Sequence, residues 1–542
     1  MSDQSSESER QGLTRKQLLG SGAGAAAAAL LAGSGVDQAL AAGKGGRKSV
    51  AGMNVILILT DQERAIQHFP PNWLRKNLPG MRRLRQHGLS FERAFTNACM
   101  CSPARSTLMS GFFPAQHGVK YTLEEDMPYP EYPLQVELPR PPELANPATV
   151  MRAAGYTPVY KGKWHCSKPA IKEDAQPSDL AKYGWDRWNP PDAGANQSVP
   201  EAGGGYIDND GRFIQSVGSN EEGKEGVMQY LSSVAAKQQP FFLVISLVNP
   251  HDVLFFPSKT FEEAGYDDSW IRGEIKPPAT AEESLKTKPS VQEEFRNIFN
   301  LTGKPKGPIQ QAQYLNFYGN LMRSSDNYIV DVLNKLEEVG LYDETLIVRT
   351  ADHGEMGLTH GGMRQKNFNF YEEATRVPLV YSNPKLFPSP RTTDAMVSHV
   401  DFLPTLASLV EAPKPARSKW QGKDYSSLIL QPKKGKKVQD YVVFTYDDVQ
   451  SGQKKGPYPK APNHIVSIRE KRWKLAKYYA VEPKKPTPPQ WEMYDLKEDP
   501  EETENIAHRH YKRSELQERE FRRLKKKLAQ VEKTRLGPQK SP

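Results

Sequence analysis

Four apolar runs of strand length, each ending abruptly in charged or imidazole residues, organise this 542-residue chain. Residues 55–60 are a continuous β-branched and leucine run that stops at Asp61-Gln62. Residues 157–160 lead into Lys161-Gly162-Lys163-Trp164-His165, residues 241–248 into Asn249-Pro250-His251-Asp252, and residues 346–350 into Asp352-His353-Gly354. Continuous runs, unlike alternating ones, fit strands buried on both faces of a parallel sheet. Open α/β sheets bind ligands outside the carboxyl ends of their strands, so the four polar endings predict one composite site.

Helical spacing covers residues 79–87 and 314–339, the second stopped by Gly340. Asp208-Asn209-Asp210-Gly211, between Tyr206-Ile207 and Phe213-Ile214, lacks the remaining ligands of a calcium loop and reads as a hairpin turn. After a Lys/Pro/Gly-rich passage over 413–437, residues 441–445, 464–468 and 473–478 look like strands of a smaller sheet. The predicted fold class is α/β: a large mixed, mostly parallel sheet sandwiched by helices, with a smaller C-terminal antiparallel-sheet subdomain and a terminal helix. The corresponding divisions are 1–42, 50–412, 438–507 and 508–542. There are no internal repeats.

Composition narrows the class. Charged residues at 25% and apolar ones at 37% exclude a disordered polyelectrolyte, and a mean hydropathy of −0.67 excludes a polytopic membrane protein. Residues 1–42 read as an export signal: Thr14-Arg15-Lys16, a short Gly/Ala-rich stretch and the cleavage motif Ala39-Leu40-Ala41. The basic pair before a weakly apolar core resembles a twin-arginine signal with Lys16 in the second place, so the chain is expected to be periplasmic or secreted, with no transmembrane segment once mature. The net charge of +9 resides mostly in residues 508–542, where twelve Lys/Arg face four Asp/Glu. No nucleic-acid module accompanies this basic tail, so nucleic acid is not an expected partner. A rival reading makes the chain a non-catalytic polyanion binder using that tail.

The three cysteines cannot build a disulfide scaffold. Cys99 and Cys166 either pair in an oxidising compartment or sit as separate core thiols. Cys101 stands before Ser102, a good N-cap, and Pro103, suited to a first helical position, which places its sulfur where free backbone N–H groups favour negative charge. The oxygen donors Asp61, Gln62 and Asp352 suit a hard cation. A metal beside a cysteine nucleophile is an odd pairing unless the cysteine is modified.

Cys101-x-Pro103-x-Arg105 resembles the C-x-P-x-R motif of the formylglycine-dependent (type I) sulfatases of the alkaline phosphatase superfamily. Further similarities follow in family order: Asp61-Gln62, Gly162-Lys163-Trp164-His165, Pro250-His251, Asp352-His353-Gly354-Glu355, Lys366 with Tyr371-Glu372-Glu373, and Met493-Tyr494-Asp495-Leu496 with Asp499-Pro500 and Asn505. The resemblance spans roughly residues 53–507. It implies an alkaline-phosphatase-like fold and an arylsulfatase-like sulfuric ester hydrolase. Its maturation enzyme would oxidise Cys101 to formylglycine. One hydroxyl of the hydrated aldehyde would attack sulfur and the other would expel sulfate by re-forming the aldehyde.

In this scheme Asp61, Gln62, Asp352 and His353, with modified Cys101, hold one divalent cation, calcium by family default, with manganese or zinc also tolerated by an imidazole ligand. Arg105 and Lys163 fix the diol, and His165 is the base that triggers collapse. His251 and Lys366 bind the sulfate and assist the leaving oxygen, while Asp252 and Arg364 contact the rest of a sulfated small molecule or glycan. Ser110, Gln62 and His353 depart from the commonest pattern, and the Asp-Gln and Asp-His pairs are similar to choline-sulfatase and phosphonate-monoester-hydrolase branches. The alternative activity is therefore phosphonate monoester or phosphodiester hydrolysis.

Overall fold

The four apolar runs become adjacent strands of a seven-stranded sheet ordered β4-β5-β1-β6-β7-β2-β8. Its strands are β1 (Asn54–Thr60), β2 (Gly88–Phe95), β4 (Thr157–Gly162), β5 (Phe241–Ser246), β6 (Thr345–Ala351), β7 (Leu379–Ser382) and β8 (Arg391–Ser398). Only β7 runs antiparallel to its neighbours. The computed structural model describes residues 50–537 apart from 125–135, 170–174, 196–197, 217–224, 415–418, 432–436, 454–455 and 482–486. The export signal expected in residues 1–42 lies outside the described residues.

Two-sided burial explains why these runs are continuous. Val55, Leu57 and Leu59 enter one core with Val244 and Val348, whereas Ile56 and Ile58 enter a second with Leu243, Ile245 and Ile347. Successive side chains point to opposite faces, so a strand packed on both sides needs an apolar residue at every position. Helices α1 (Pro79–Gln86) and the 32-residue helix labelled α4 below (Gly307–Glu338) cover the second core. The long helix starts seven residues before its predicted boundary, with proline in its first turn.

The second sheet, ordered β12-β11-β10-β9-β3, joins distant parts of the chain. β9 (Tyr441–Tyr446), β10 (His464–Glu470), β11 (Trp473–Tyr479) and β12 (Gln490–Asp495) are antiparallel neighbours. Its last member is β3 (Ala98–Cys99), which pairs in parallel with β9 through Ala98↔Thr445 and Cys99↔Tyr446. The small sheet therefore anchors the segment that leads into Cys101.

Two local expectations are corrected. Helix α2 (Cys101–Ser110) begins at the cysteine itself with Met100 at the N-cap position. Ser102 does not cap it; its hydroxyl accepts from Leu123 N–H at 3.0 Å. Asp208–Gly211 is not a hairpin turn, because Asp208 caps helix α3 (Asn209–Gln215) by accepting from Gly211 N–H at 3.0 Å. The basic helix α5 (Glu515–Val531) buries Leu524, Leu528 and Val531 against Val466, Ile468, Leu475 and Met493 of the small sheet. Among the described residues no helix is long and apolar enough to cross a membrane.

Candidate active site

The carboxyl ends of β4, β5, β1 and β6 lie side by side, and the residues that follow them converge on the start of α2. Cys101 Sγ is 3.5 Å from Asp61 Oδ1 and 3.2 Å from His353 Nε2. Asp61, Cys101, Asp352 and His353 each present one donor atom within 4.8 Å of the others, all buried. His353 Nδ1 sits 3.1 Å from the Gly354 carbonyl, which makes Nδ1 the protonated nitrogen and leaves the Nε2 lone pair facing the cluster. Two carboxylates and a neutral imidazole so oriented fit a divalent cation.

Cations surround the carboxylates. Arg105 donates to Asp352 Oδ2 at 2.9 Å and Asp61 Oδ2 at 3.1 Å, and also reaches Ser246 Oγ and the Lys163 carbonyl. Lys163 Nζ lies 2.8 Å from Asp61 Oδ2. Burial alone would raise Asp61, but Lys163, His251 and Arg105 override it and hold the carboxyl well below its usual range. Burial and the neighbouring Asp61 push Asp352 up to about 7. Burial, reinforced by Asp61, pushes the Cys101 thiol up to about 12.

A family profile described as Sulfatase matches residues 53–412, and one described as N-sulphoglucosamine sulphohydrolase, C-terminal, matches residues 360–534. The chain belongs to the type I sulfatase family of the alkaline phosphatase superfamily. It is 25% identical over 383 residues to an ulvan-active sulfatase from Formosa agariphila, an alignment covering 70% of this chain and 65% of that relative. It is 24% identical over 516 residues to an N-acetylglucosamine-6-O-sulfatase from Bacteroides thetaiotaomicron, covering 84% of this chain and 82% of the relative. The solved structure of a 2-O GAG sulfatase superimposes with a TM-score of 0.64 at 18% identity, covering 90% of this chain and 93% of that one. The fold is accordingly alkaline-phosphatase-like, the protein is a sulfatase enzyme, and its activity is sulfate ester hydrolysis.

The remaining predicted residues of the sulfatase take distinct positions. Gln62 is adjacent to the cluster, its N–H donating to Asp352 Oδ1, but its side chain is stretched between Lys366 Nζ at 2.6 Å and Glu355 Oε2 at 2.5 Å. His165 Nε2 donates to the Leu123 carbonyl at 2.7 Å, leaving Nδ1 buried without a partner. Burial, then Lys163 and Arg105, push its pKa well down, so the ring is neutral. His251 is similarly neutral through burial and Lys163, and its Nδ1 is also unpartnered. Asp252 Oδ2 accepts from Gly203 N–H and Tyr266 OH while its Oδ1 is buried without a partner, and Arg364 holds Asn300 Oδ1 and the Gly303 carbonyl.

Three residues that sequence reasoning gave no role hold this arrangement. Glu355 receives Gln62, Tyr314 OH and the Gly357 and Gln365 N–H groups. Asp192 accepts from Trp164 and His165 N–H, fixing the turn after β4. Asp210 accepts from Val248 and Asn249 N–H, fixing the turn after β5. Only Glu355 left a trace in the sequence, as the fourth residue of Asp-His-Gly-Glu. Cys99 and Cys166 are separate buried thiols.

Proposed function

We propose that this sulfatase hydrolyses a sulfate monoester through Cys101 after its oxidation to formylglycine. The observation that carries the reading is the setting of Cys101 Sγ at the N-terminus of α2, beside Asp61 and His353. As a thiol pushed up to about 12 by burial, this group is a poor nucleophile near neutral pH. Conversion to a hydrated aldehyde by a formylglycine-generating maturation enzyme supplies the oxygen nucleophile that the donor set suits.

Asp61, Asp352 and His353 would hold one divalent cation, joined by Gln62 once its side-chain oxygen turns from Lys366, with calcium favoured by the preponderance of oxygen donors and manganese or zinc the alternatives. When bound, the cation contributes positive charge where sulfate oxygens accumulate negative charge. Arg105 locks the two carboxylates in place, and Lys163 neutralises Asp61 while facing the nucleophile. The unpartnered Nδ1 of neutral His165 takes the proton whose loss releases sulfate from the enzyme. His251 and Lys366 orient the sulfate group and donate hydrogen bonds toward the departing alcohol oxygen. The glycan names of the relatives favour a sulfated saccharide over a simple aryl ester as the natural substrate. The N-terminal pattern favours export through a twin-arginine-like route.

The test is mass spectrometry of the Cys101 peptide together with turnover of metal-replete protein. An aldehyde at Cys101 is expected, with a kcat/KM for an aryl sulfate at least tenfold above that for the matched aryl phenylphosphonate, about 1.4 kcal/mol of differential transition-state binding. Highly active protein carrying only a thiol would overturn the mechanism. The reverse preference would make the protein a phosphonate monoester or phosphodiester hydrolase.

A further inference from the structure

A cavity of about 370 Å³ lies away from the catalytic cluster, between α1, α4 and the β7, β2 and β8 edge of the large sheet. None of the residues assigned above to catalysis or metal binding lines it. Its wall includes the buried apolar side chains of Leu78, Met81, Phe91 and Leu379. The same cavity is lined by four arginines, Arg64, Arg85, Arg376 and Arg391, and by two acidic residues, Glu63 and Glu92.

The carboxylates do not balance the arginines. Glu63 is already paired with Arg349 and accepts from Thr60 Oγ1. Arg64 donates to neutral acceptors, the Met356 carbonyl at 2.8 Å and Gln67 Oε1 at 3.1 Å. The carboxylate near Arg376 belongs to Glu372, 3.8 Å away, and Arg469 already holds that group with two hydrogen bonds of 3.0 Å. Arg376 Nε is buried with no partner. Burial lowers the pKa of Arg376, with Glu372 and Glu92 opposing and Arg469 and Arg93 adding to the effect, and burial followed by the charge of Arg349 lowers that of Arg85 against Glu63. Arg376, half-buried with its Nε unpartnered, therefore carries its charge at a cost that an anion would relieve.

We propose that this cavity is a second binding site, for a compact organic anion with one charged head and an apolar body, such as an aryl or alkyl sulfonate, sulfate or carboxylate. Guanidinium groups can donate to two oxygens of such heads at once, and a bare inorganic ion would leave the Leu78, Met81 and Phe91 wall wet. A neutral apolar molecule would leave the cationic surplus uncompensated. The volume falls within the range of small-molecule sites, roughly 300–1,000 Å³, and is too small for a polymer.

Calorimetric titration of the full chain with 2-naphthalenesulfonate tests the proposal. Arg85 and Arg391 stand at the rim, so the double variant Arg85→Glu/Arg391→Glu is expected to weaken binding tenfold or more while aryl sulfate turnover is unchanged. Arg391→Gln, which removes one charge without adding another, is expected to weaken it about threefold. Lys366→Ala, in the catalytic site, is expected to leave this binding intact. Inorganic sulfate and 2-naphthol are each expected to bind at least tenfold more weakly than the sulfonate. Binding lost in Lys366→Ala but retained in the double variant would assign the sulfonate to the catalytic centre and overturn the proposal. Inorganic sulfate binding as tightly as the sulfonate would overturn it as well.

Discussion

Two buried charge clusters in this sulfatase use the same kinds of side chain to opposite ends. Between the large sheet and the small one, Glu372 accepts two hydrogen bonds from Arg469, Lys474 reaches Glu502 at 2.6 Å, and Glu492 accepts from Tyr371, Tyr478 and Gln292. Burial alone would raise Glu372, but Arg469 and Lys474 bring it down to about 2. At the strand ends, Asp61 and Asp352 crowd each other beside a thiol, and the ring nitrogens of His165 and His251 are left unpartnered. The first cluster closes its carboxylates with protein donors and cements two sheets. The second leaves acceptors and lone pairs open, which is what a site for a cation and an anionic substrate requires.

The contrast breaks most sharply through substitutions at matched positions. Asp61→Asn removes a carboxylate from the open cluster and is expected to lower aryl sulfate turnover on the order of 10³-fold. The melting temperature should fall as well, because buried Lys163 and Arg105 lose a charged partner, Arg105 keeping Asp352. Glu372→Ala strands Arg469, while Lys474 keeps Glu502, and is expected to cost about 3–5 kcal/mol in chemical denaturation, with the kcat of the folded fraction retained. Retained kcat in the folded fraction of Asp61→Asn, or a kcat lost in that of Glu372→Ala, would erase the distinction.

Helix α5 tests whether basic character or an apolar stripe fixes the end of the chain. Arg523 and Lys527 pair with Glu470, but both are partly exposed, so their contribution is small. Leu528 is fully buried, and Leu528→Ala is expected to cost about 2–5 kcal/mol. Arg522→Glu, at an exposed position, should change stability by about 0.5 kcal/mol or less. Denaturant midpoints of the two variants decide the matter. A larger effect from Arg522→Glu would show that charge holds the helix down.

What was legible in the sequence follows from which forces act locally. The four strands were readable because two-sided burial writes itself as an unbroken apolar run, and their order in the sheet then brings Asp61, Lys163, His251 and Asp352 together. The beginning of α2 was misplaced because Ser102, a good cap by type, spends its hydroxyl on Leu123 N–H, a contact no local pattern records. Asp208 was misread because the same Asp-Gly chemistry serves a turn or a helix cap, and packing chose the cap. Asp192 and Asp210 accept backbone N–H groups 27 and 38 residues away, and Glu355 receives Gln62 from 293 residues away, so spacing does not announce these roles. The basic tail announced its charge, whereas the stripe of Leu524, Leu528 and Val531 within it settles where it packs.

The pH dependence of stability sharpens the comparison further. His360 lies between Glu283 and Glu373, with Nδ1 2.8 Å from Glu283 Oε2, and its ring stacks on Tyr371 at 3.7 Å. Burial alone would lower its pKa, but the two carboxylates override burial and hold it at about 9. The folded state therefore binds the proton more tightly than the unfolded chain, whose histidine titrates near about 6.5. The resulting stabilisation is fully present below about pH 6.5 and is lost as pH rises through about 9, at most about 3 kcal/mol. Asp352, raised to about 7 from a carboxylate's usual value near about 3.9, likewise loses its contribution as pH rises, but between about 3.9 and about 7, so above about pH 7 the decline belongs to His360. Urea denaturation from pH 6 to 10 should show the parent losing stability across this interval, while His360→Gln starts less stable and follows a flatter profile. An unchanged decline in the variant would place the proton elsewhere and remove His360 from the cluster that cements the sheets.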